Sequence, residues 1–164
     1  MKYQKIETCD VANGIGLGIV FWCQGCDVHC PGCHNPSTWN YDDGYVFTDK
    51  ARKKMYGELQ NPWITRITFS GGHPLDPVNK PEVIELIHDI RTRFPTKSIW
   101  LYTGYIWESF KSEEWVKDVD VIVDGSFILA QRDITLPYRG SKNQRIIDVK
   151  KSLQTNQIVL LDVK

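Results

Sequence analysis

The chain has 164 residues, 41% of them hydrophobic and 24% charged, with 20 basic and 20 acidic side chains and a formal net charge of zero. That length suits one domain with a sizeable core, and the charge balance excludes electrostatic attraction to nucleic acid or to an anionic membrane surface. No stretch reaches the roughly 18 apolar residues of a membrane span, and neither a basic segment nor a small-residue cleavage site flanks the mildly apolar run from Gly14 to Trp22, so a soluble cytoplasmic protein is expected.

In chain order, Leu17 to Cys23 is apolar throughout and ends at Gln24-Gly25, which predicts a buried strand. Asn35 to Tyr45 is polar and turn-rich. Thr48 to Gln60 predicts a helix, with Thr48 or Asp49 as N-cap and Ala51, Met55 and Leu59 on one face. Ile64 to Ser70 alternates and stops at Gly71-Gly72. Pro81 to Phe94 predicts the clearest helix: Pro81 suits the first helical position, Glu82 favours the positive end of the dipole, and Val83, Ile84, Ile87 and Ile90 form a face. Strands are expected at Ser98 to Thr103, Val119 to Asp124 and Gln157 to Val163, with a short helix over Ile106 to Val116.

Alternating strands and helices imply βα units, right-handed crossovers and an α/β domain with a mainly parallel sheet. A complete eight-fold barrel takes about 250 residues, so an open, incomplete βα barrel or a doubly wound sheet is expected. No linker or repeat divides the chain. In either arrangement the chemistry belongs at the carboxyl ends of the strands, where Gly25-Cys26, Gly71-Gly72, Gly104 and Gly125 fall.

Four of the five cysteines lie within eleven residues, and an odd count without a secretory signal argues against a disulfide framework. Cys26, Cys30 and Cys33 have C-x3-C-x2-C spacing. Three thiolates fill three irons of a cubane 4Fe-4S cluster and leave the fourth iron free for a small molecule. Rival arrangements are zinc on Cys26, Cys30, Cys33 and His34, a four-thiolate site that adds Cys23, and a redox pair Cys23-Gln24-Gly25-Cys26. Cys23 shares a strand side with Ile19 and Phe21, which predicts a core thiol; Cys9, isolated, is expected to be a plain buried thiol.

Ser70-Gly71-Gly72-His73-Pro74-Leu75 follows a strand, and its two glycines let a ligand approach the backbone closely. Gly14, Gly16 and Gly18 are spaced like a nucleotide loop but precede no helix, so they predict a flexible strand entry. His29 and His88 are expected to be exposed. Trp39, Tyr105 and Trp107 are candidate interface aromatics, Asp124 either meets a ligand or caps a turn, and Arg139 to Arg145 is expected to be an ordered loop closing the site or touching a partner.

A C-x3-C-x2-C loop after the first strand and a Gly-Gly segment after the second resemble the radical S-adenosylmethionine superfamily. Within it, Asp10 to Gly14, Gly25-Cys26, Cys30-Pro31-Gly32-Cys33-His34-Asn35, Ser37-Thr38-Trp39, Gly71-Gly72-His73-Pro74-Leu75, Thr103-Gly104-Tyr105, Val123-Asp124-Gly125, Arg139-Gly140-Ser141 and Asn143-Gln144 resemble, in order, the family that activates anaerobic ribonucleoside-triphosphate reductase. The resemblance implies an incomplete βα barrel holding one 4Fe-4S cluster on Cys26, Cys30 and Cys33. It implies that the open iron binds S-adenosylmethionine, with Gly71 and Gly72 near its amino-acid end and the backbone of Gly32, Cys33 and His34 near adenine. It further implies reductive cleavage to methionine and a 5′-deoxyadenosyl radical, which takes hydrogen from a glycine of the large reductase subunit, with an electron donor such as flavodoxin and association with a dimeric reductase. Other glycyl-radical activators and a zinc-stabilised binding module are the alternatives. The chain departs from the superfamily pattern at His73, which replaces the acid of Gly-Gly-Glu, at Gly32, at Ile15 and at Tyr138. No Ser-His-Asp set or catalytic carboxylate pair is expected, because a bound cofactor carries radical chemistry.

Overall fold

The computed structural model describes residues 1–163. Strands are β1 (Lys2–Asp10), β2 (Gly18–Cys23), β3 (Tyr45–Val46), β4 (Arg66–Gly71), β5 (Ser98–Tyr102), β6 (Val121–Asp124) and β7 (Arg145–Asp148); helices are α1 (Asp49–Leu59), α2 (Lys80–Arg93) and α3 (Val149–Thr155). They form one seven-stranded sheet in the order β3-β1-β2-β4-β5-β6-β7. The four central strands run parallel, as the βα alternation predicts, and antiparallel strands close both edges.

The strand period of two sorts the side chains into two layers. Ile19, Phe21, Ile67, Phe69, Ile99, Leu101 and Ile122 face α1 and α2 and share a core with Met55, Leu59, Val83, Leu86, Ile87 and Ile90. Alternate residues build the opposite face, where Trp100, Val121, Val123 and Ile146 form a smaller apolar cluster. Thr48 caps α1 by accepting from the Ala51 amide, and Pro81 sits in the first turn of α2, both as expected.

Three elements differ from expectation. Residues 106–116 form two 3-10 turns, Trp107–Ser109 and Glu114–Asp118, rather than one helix. The three-residue spacing of Trp107 and Phe110 suits the tighter turn, and both rings enter the core, so Trp107 is no interface residue. Gln157 to Val163 is no strand: only Leu160 bridges Ile147, flanked by bonds from Asp148 N–H to Val159 O and Leu161 N–H to Ile146 O. The chain reverses at Asn156 in the left-handed region (φ 53°) and lies briefly beside β7. Cys9 is exposed, at φ 60°, because the irregular end of β1 turns it outward.

On the second face, Arg66 is completely buried at the start of β4. It donates to Asp10 Oδ2 at 2.7 Å, to the carbonyls of Asp10 (2.9 Å), Asn13 (3.1 Å) and Gly16 (3.3 Å), and to Thr68 Oγ1. A Cβ on Gly18 would sit 2.6 Å from Arg66 Cζ, so glycine here makes room for the guanidinium. One side chain therefore pins the whole 10–16 loop to the sheet. Burial alone would push the Asp10 carboxyl up, but hydrogen bonds from Arg66, Asn13 and Ala12 outweigh it and hold it below the usual range. A carboxyl depressed in the folded state contributes stability above its unfolded pKa and loses it as pH falls through the folded value. Thermal stability should therefore fall as pH drops below about 4. Asp10→Asn should flatten that dependence while costing about 3–5 kcal/mol at neutral pH, because the guanidinium stays buried without its counter-charge.

Candidate metal centre

The parallel strands deliver four loops to one edge of the sheet. Cys26, Cys30 and Cys33 from the loop after β2 line a cavity of about 140 Å³ with Gly71 and Gly72 after β4, Thr103 and Gly104 after β5, and Gly125 after β6. Chain positions 26 to 125 thus meet at the carboxyl ends, where the alternation of elements puts them.

The cysteine loop is built from backbone bonds. Gly25 N–H donates to Thr38 O (2.8 Å) and Cys26 N–H to Trp39 O (3.2 Å), while His73 N–H reaches Gly25 O (2.8 Å). The buried Gln24 amide donates to the carbonyls of Ser37 (3.1 Å) and Asn40 (2.8 Å), so the 35–45 loop wraps the cysteines. Asn79, completely buried, donates to the carbonyls of Gln24 (3.0 Å), Gly25 (3.3 Å) and His73 (3.1 Å). Its role was hidden in the sequence because an Asn before Lys80-Pro81 looks like an ordinary helix cap; it makes no side-chain cap.

The donor set suits a cluster. Burial pushes the Cys26 thiol up, and the nearby backbone N–H groups of His29 and Val28 oppose that. His29 adopts φ 46°, a left-handed turn within the cysteine loop. Asn35 N–H lies 3.3 Å from Cys33 Sγ. Trp39 lines the same cavity, and its indole N–H is buried with no acceptor in the protein. Such donors stabilise thiolates and cluster sulfurs. Among the described residues no three His, Cys, Asp or Glu side chains converge as ligands of a single ion would. A cubane takes each thiolate at a separate iron and needs no such convergence; the zinc set with His34 does, and His34 instead packs its exposed ring against Phe127, 5.6 Å between centroids.

Cys23 is completely buried in the helix-side core and does not line the cavity; burial pushes its thiol far up, as an inert core residue. Gly32 is exposed at φ 74° against Leu129. Asp124 accepts from Trp107 N–H (2.7 Å), as a turn cap does, and from Arg145 (2.5 and 3.0 Å). The 139–145 segment is an ordered loop: Gln144 accepts from the amides of Gly140 and Ser141 and donates to Gly125 O (3.0 Å). His29 is exposed, as is His88, which reaches Asp118 at 3.1 Å.

His73 is 2% exposed, with Nδ1 2.5 Å from Asp27 Oδ1 and Nε2 2.7 Å from Thr103 Oγ1. Gly104 N–H also points at Nε2 (3.3 Å), which makes that nitrogen the acceptor and assigns the proton to Nδ1. Burial pushes the imidazole below its ordinary value despite Asp27. Burial likewise would raise Asp27, but Tyr105 and His73 outweigh it and hold the carboxylate ionised. The pair is a neutral imidazole donating to a carboxylate.

A second cavity of about 390 Å³ adjoins the first at Cys33, Ser70, Tyr102 and Phe127, extending past His34 and Tyr138 toward Asn13. A pocket of this size suits a nucleoside-sized ligand or an extended peptide.

A family model described as a 4Fe-4S single cluster domain matches residues 12–147, which defines the class. Relatives named anaerobic ribonucleoside-triphosphate reductase-activating protein include one from Enterobacteria phage T4, 41% identical over 150 residues (89% of this chain, 93% of the phage protein). Others come from Escherichia coli strain K12, 36% identical over 148 residues (88% and 96%), and Vibrio cholerae serotype O1, 37% identical over 150 residues (89% and 97%). The chain belongs to the anaerobic ribonucleoside-triphosphate reductase-activating protein family.

Gly72 offers a test of the loop packing. A Cβ there would lie 2.2 Å from Gly25 O and 2.9 Å from Thr38 O, both backbone atoms that cannot swing aside. Gly72→Ala should cost at least about 1–3 kcal/mol in thermal unfolding. Gly57→Ala, within α1 and with nothing near the added carbon, should gain about 0.5–1 kcal/mol.

Proposed function

We propose that this chain generates a glycyl radical on the large subunit of anaerobic ribonucleoside-triphosphate reductase, using one 4Fe-4S cluster on Cys26, Cys30 and Cys33 and S-adenosylmethionine at the fourth iron. The observation that carries the reading is three free thiols from one loop lining one cavity at the sheet edge, in a chain whose relatives bear the activating-protein name. When bound, these groups let one electron cleave the S–C5′ bond to methionine and a 5′-deoxyadenosyl radical, which takes a hydrogen atom from the target glycine to leave 5′-deoxyadenosine and the glycyl radical.

The protein's own residues hold and shield. The amide of Asn35 lies 3.3 Å from Cys33 Sγ, and those of Val28 and His29 lie beside Cys26. The carbonyls at Gly71 and Gly72 receive the ammonium of S-adenosylmethionine, and the backbone of Gly32, Cys33 and His34 borders its adenine. The neighbouring larger cavity supplies room for the nucleoside and the incoming glycine, and Tyr102, which donates to Tyr138 O at 2.7 Å, closes its floor. The single domain acts as a partial βα barrel, and the electron comes from a protein donor such as flavodoxin in the cytoplasm, on an assembly with the dimeric reductase.

Anaerobically prepared protein should carry about four irons and matching sulfide per chain. After reduction it should convert S-adenosylmethionine to 5′-deoxyadenosine, and with the reductase added it should give a glycyl radical by electron paramagnetic resonance. Cys26→Ala, Cys30→Ala and Cys33→Ala should each abolish cleavage, whereas Cys23→Ala should retain it. Iron-loaded, reduced protein that leaves S-adenosylmethionine intact would refute the proposal.

A further inference from the structure

The buried imidazole of His73 is spent entirely on the protein. Nδ1 donates to Asp27, Nε2 accepts from Thr103 Oγ1 and Gly104 N–H, and Tyr105 covers the ring edge-on at 4.4 Å between centroids. Tyr105 O–H donates to the second Asp27 oxygen (2.5 Å), and Tyr105 N–H donates to Thr103 Oγ1 (3.1 Å). Asp27 follows Cys26 directly. One closed network therefore ties the loop after β2 to those after β4 and β5, at the residue next to the first thiol.

We propose that His73 is a positioning residue for the cysteine loop, fixing Cys26 through Asp27 and touching no ligand of the cluster itself. The proposal rests on the cluster reading of Cys26, Cys30 and Cys33 given above. Both ring nitrogens have partners, so no N–H or lone pair remains for an amino-acid ligand at the fourth iron. The donor character of His73 is what Asp27 requires: an acid at position 73 would set one carboxylate against another, whereas asparagine would present an N–H where Nδ1 now lies. The ligand's ammonium is thus left to main-chain carbonyls.

The test compares full-length, anaerobically reconstituted wild type with His73→Ala, His73→Asn, Asp27→Ala and the His73→Ala/Asp27→Ala double variant. Two quantities are read before any S-adenosylmethionine is added: the rate of iron loss to a chelator and the paramagnetic resonance line shape of the reduced cluster. Partners that orient metal ligands typically contribute 10–100-fold, so His73→Ala and Asp27→Ala should each speed iron loss roughly ten-fold or more and alter the line shape alike. The double variant should be no faster than either single variant, since both break one contact, and His73→Asn should restore most of the retention. Asp27 is one-third exposed, so Asp27→Ala carries the same expectation should His73→Ala not fold. A His73→Ala protein that keeps iron and line shape like the wild type and changes only when S-adenosylmethionine is added overturns the proposal alone, as does full additivity with Asp27→Ala. A wild-type chain that takes up neither iron nor sulfide overturns the cluster reading, and the proposal with it.

Discussion

The contact between the ends of β2 and β4 sets the rest of the site. Their parallel register puts Cys23 beside Gly71, so the chain leaving β2 and the chain leaving β4 depart side by side. Gly72 then approaches the Gly25 carbonyl closely enough that no side chain can intervene, and amides cross between the two loops: Gly72 N–H to Cys23 O and His73 N–H to Gly25 O, each at 2.8 Å. Buried backbone groups must find partners, and here they find them in each other. Asn79 completes the arrangement from the head of α2, joining the start of a helix to the start of the cysteine loop. The thiols stand on a frame made mostly of main chain.

The two faces of the sheet serve different ends. The helix side is a continuous apolar layer, and its packing supplies the bulk of the hydrophobic stabilisation. The other side carries the Arg66 network at the amino end of the parallel strands, with Ser70 and Tyr102 farther toward the carboxyl end. A buried ion pair contributes little net stability and is costly to break, so its value lies in where it holds the 10–16 loop, which forms one wall of the larger cavity. The same segment brings Asn13 to that wall, with its carbonyl accepting from both Arg66 and Thr68.

The central βα architecture and the thiol loop were legible because each rests on a strong local signal: continuous apolar strands, helices with capping residues, and dense cysteine spacing. The antiparallel strands β1 and β7 were not. In β1 the ladder shifts register between Tyr3 and Lys5 and again between Glu7 and Asp10, which destroys the two-residue period that would betray a strand. In β7 only four residues pair, and Ile146 and Ile147 serve opposite cores, so an apolar pair inside a polar stretch carries no strand period. Arg66 escaped because a lone arginine in an alternating strand reads as an exposed position. Its burial depends on Asp10 and on glycines 50 residues away, which no local pattern reports.

His73 shows how a departure from a superfamily pattern can be coherent within one chain. Replacing an acid by histidine removes a charge that could face an ammonium group, and in isolation that looks like a lost ligand contact. The structure pairs the change with Asp27 beside Cys26, with Thr103 and Tyr105 from the next loop, and with full burial of the ring. A neutral donor buried against an ionised, hydrogen-bonded carboxylate avoids placing two like charges together beside Cys26. On the cluster reading proposed above, each thiolate would add negative charge at this edge, and a further carboxylate at position 73 would raise the cost of assembling them. Histidine keeps the geometric link between the loops without that cost.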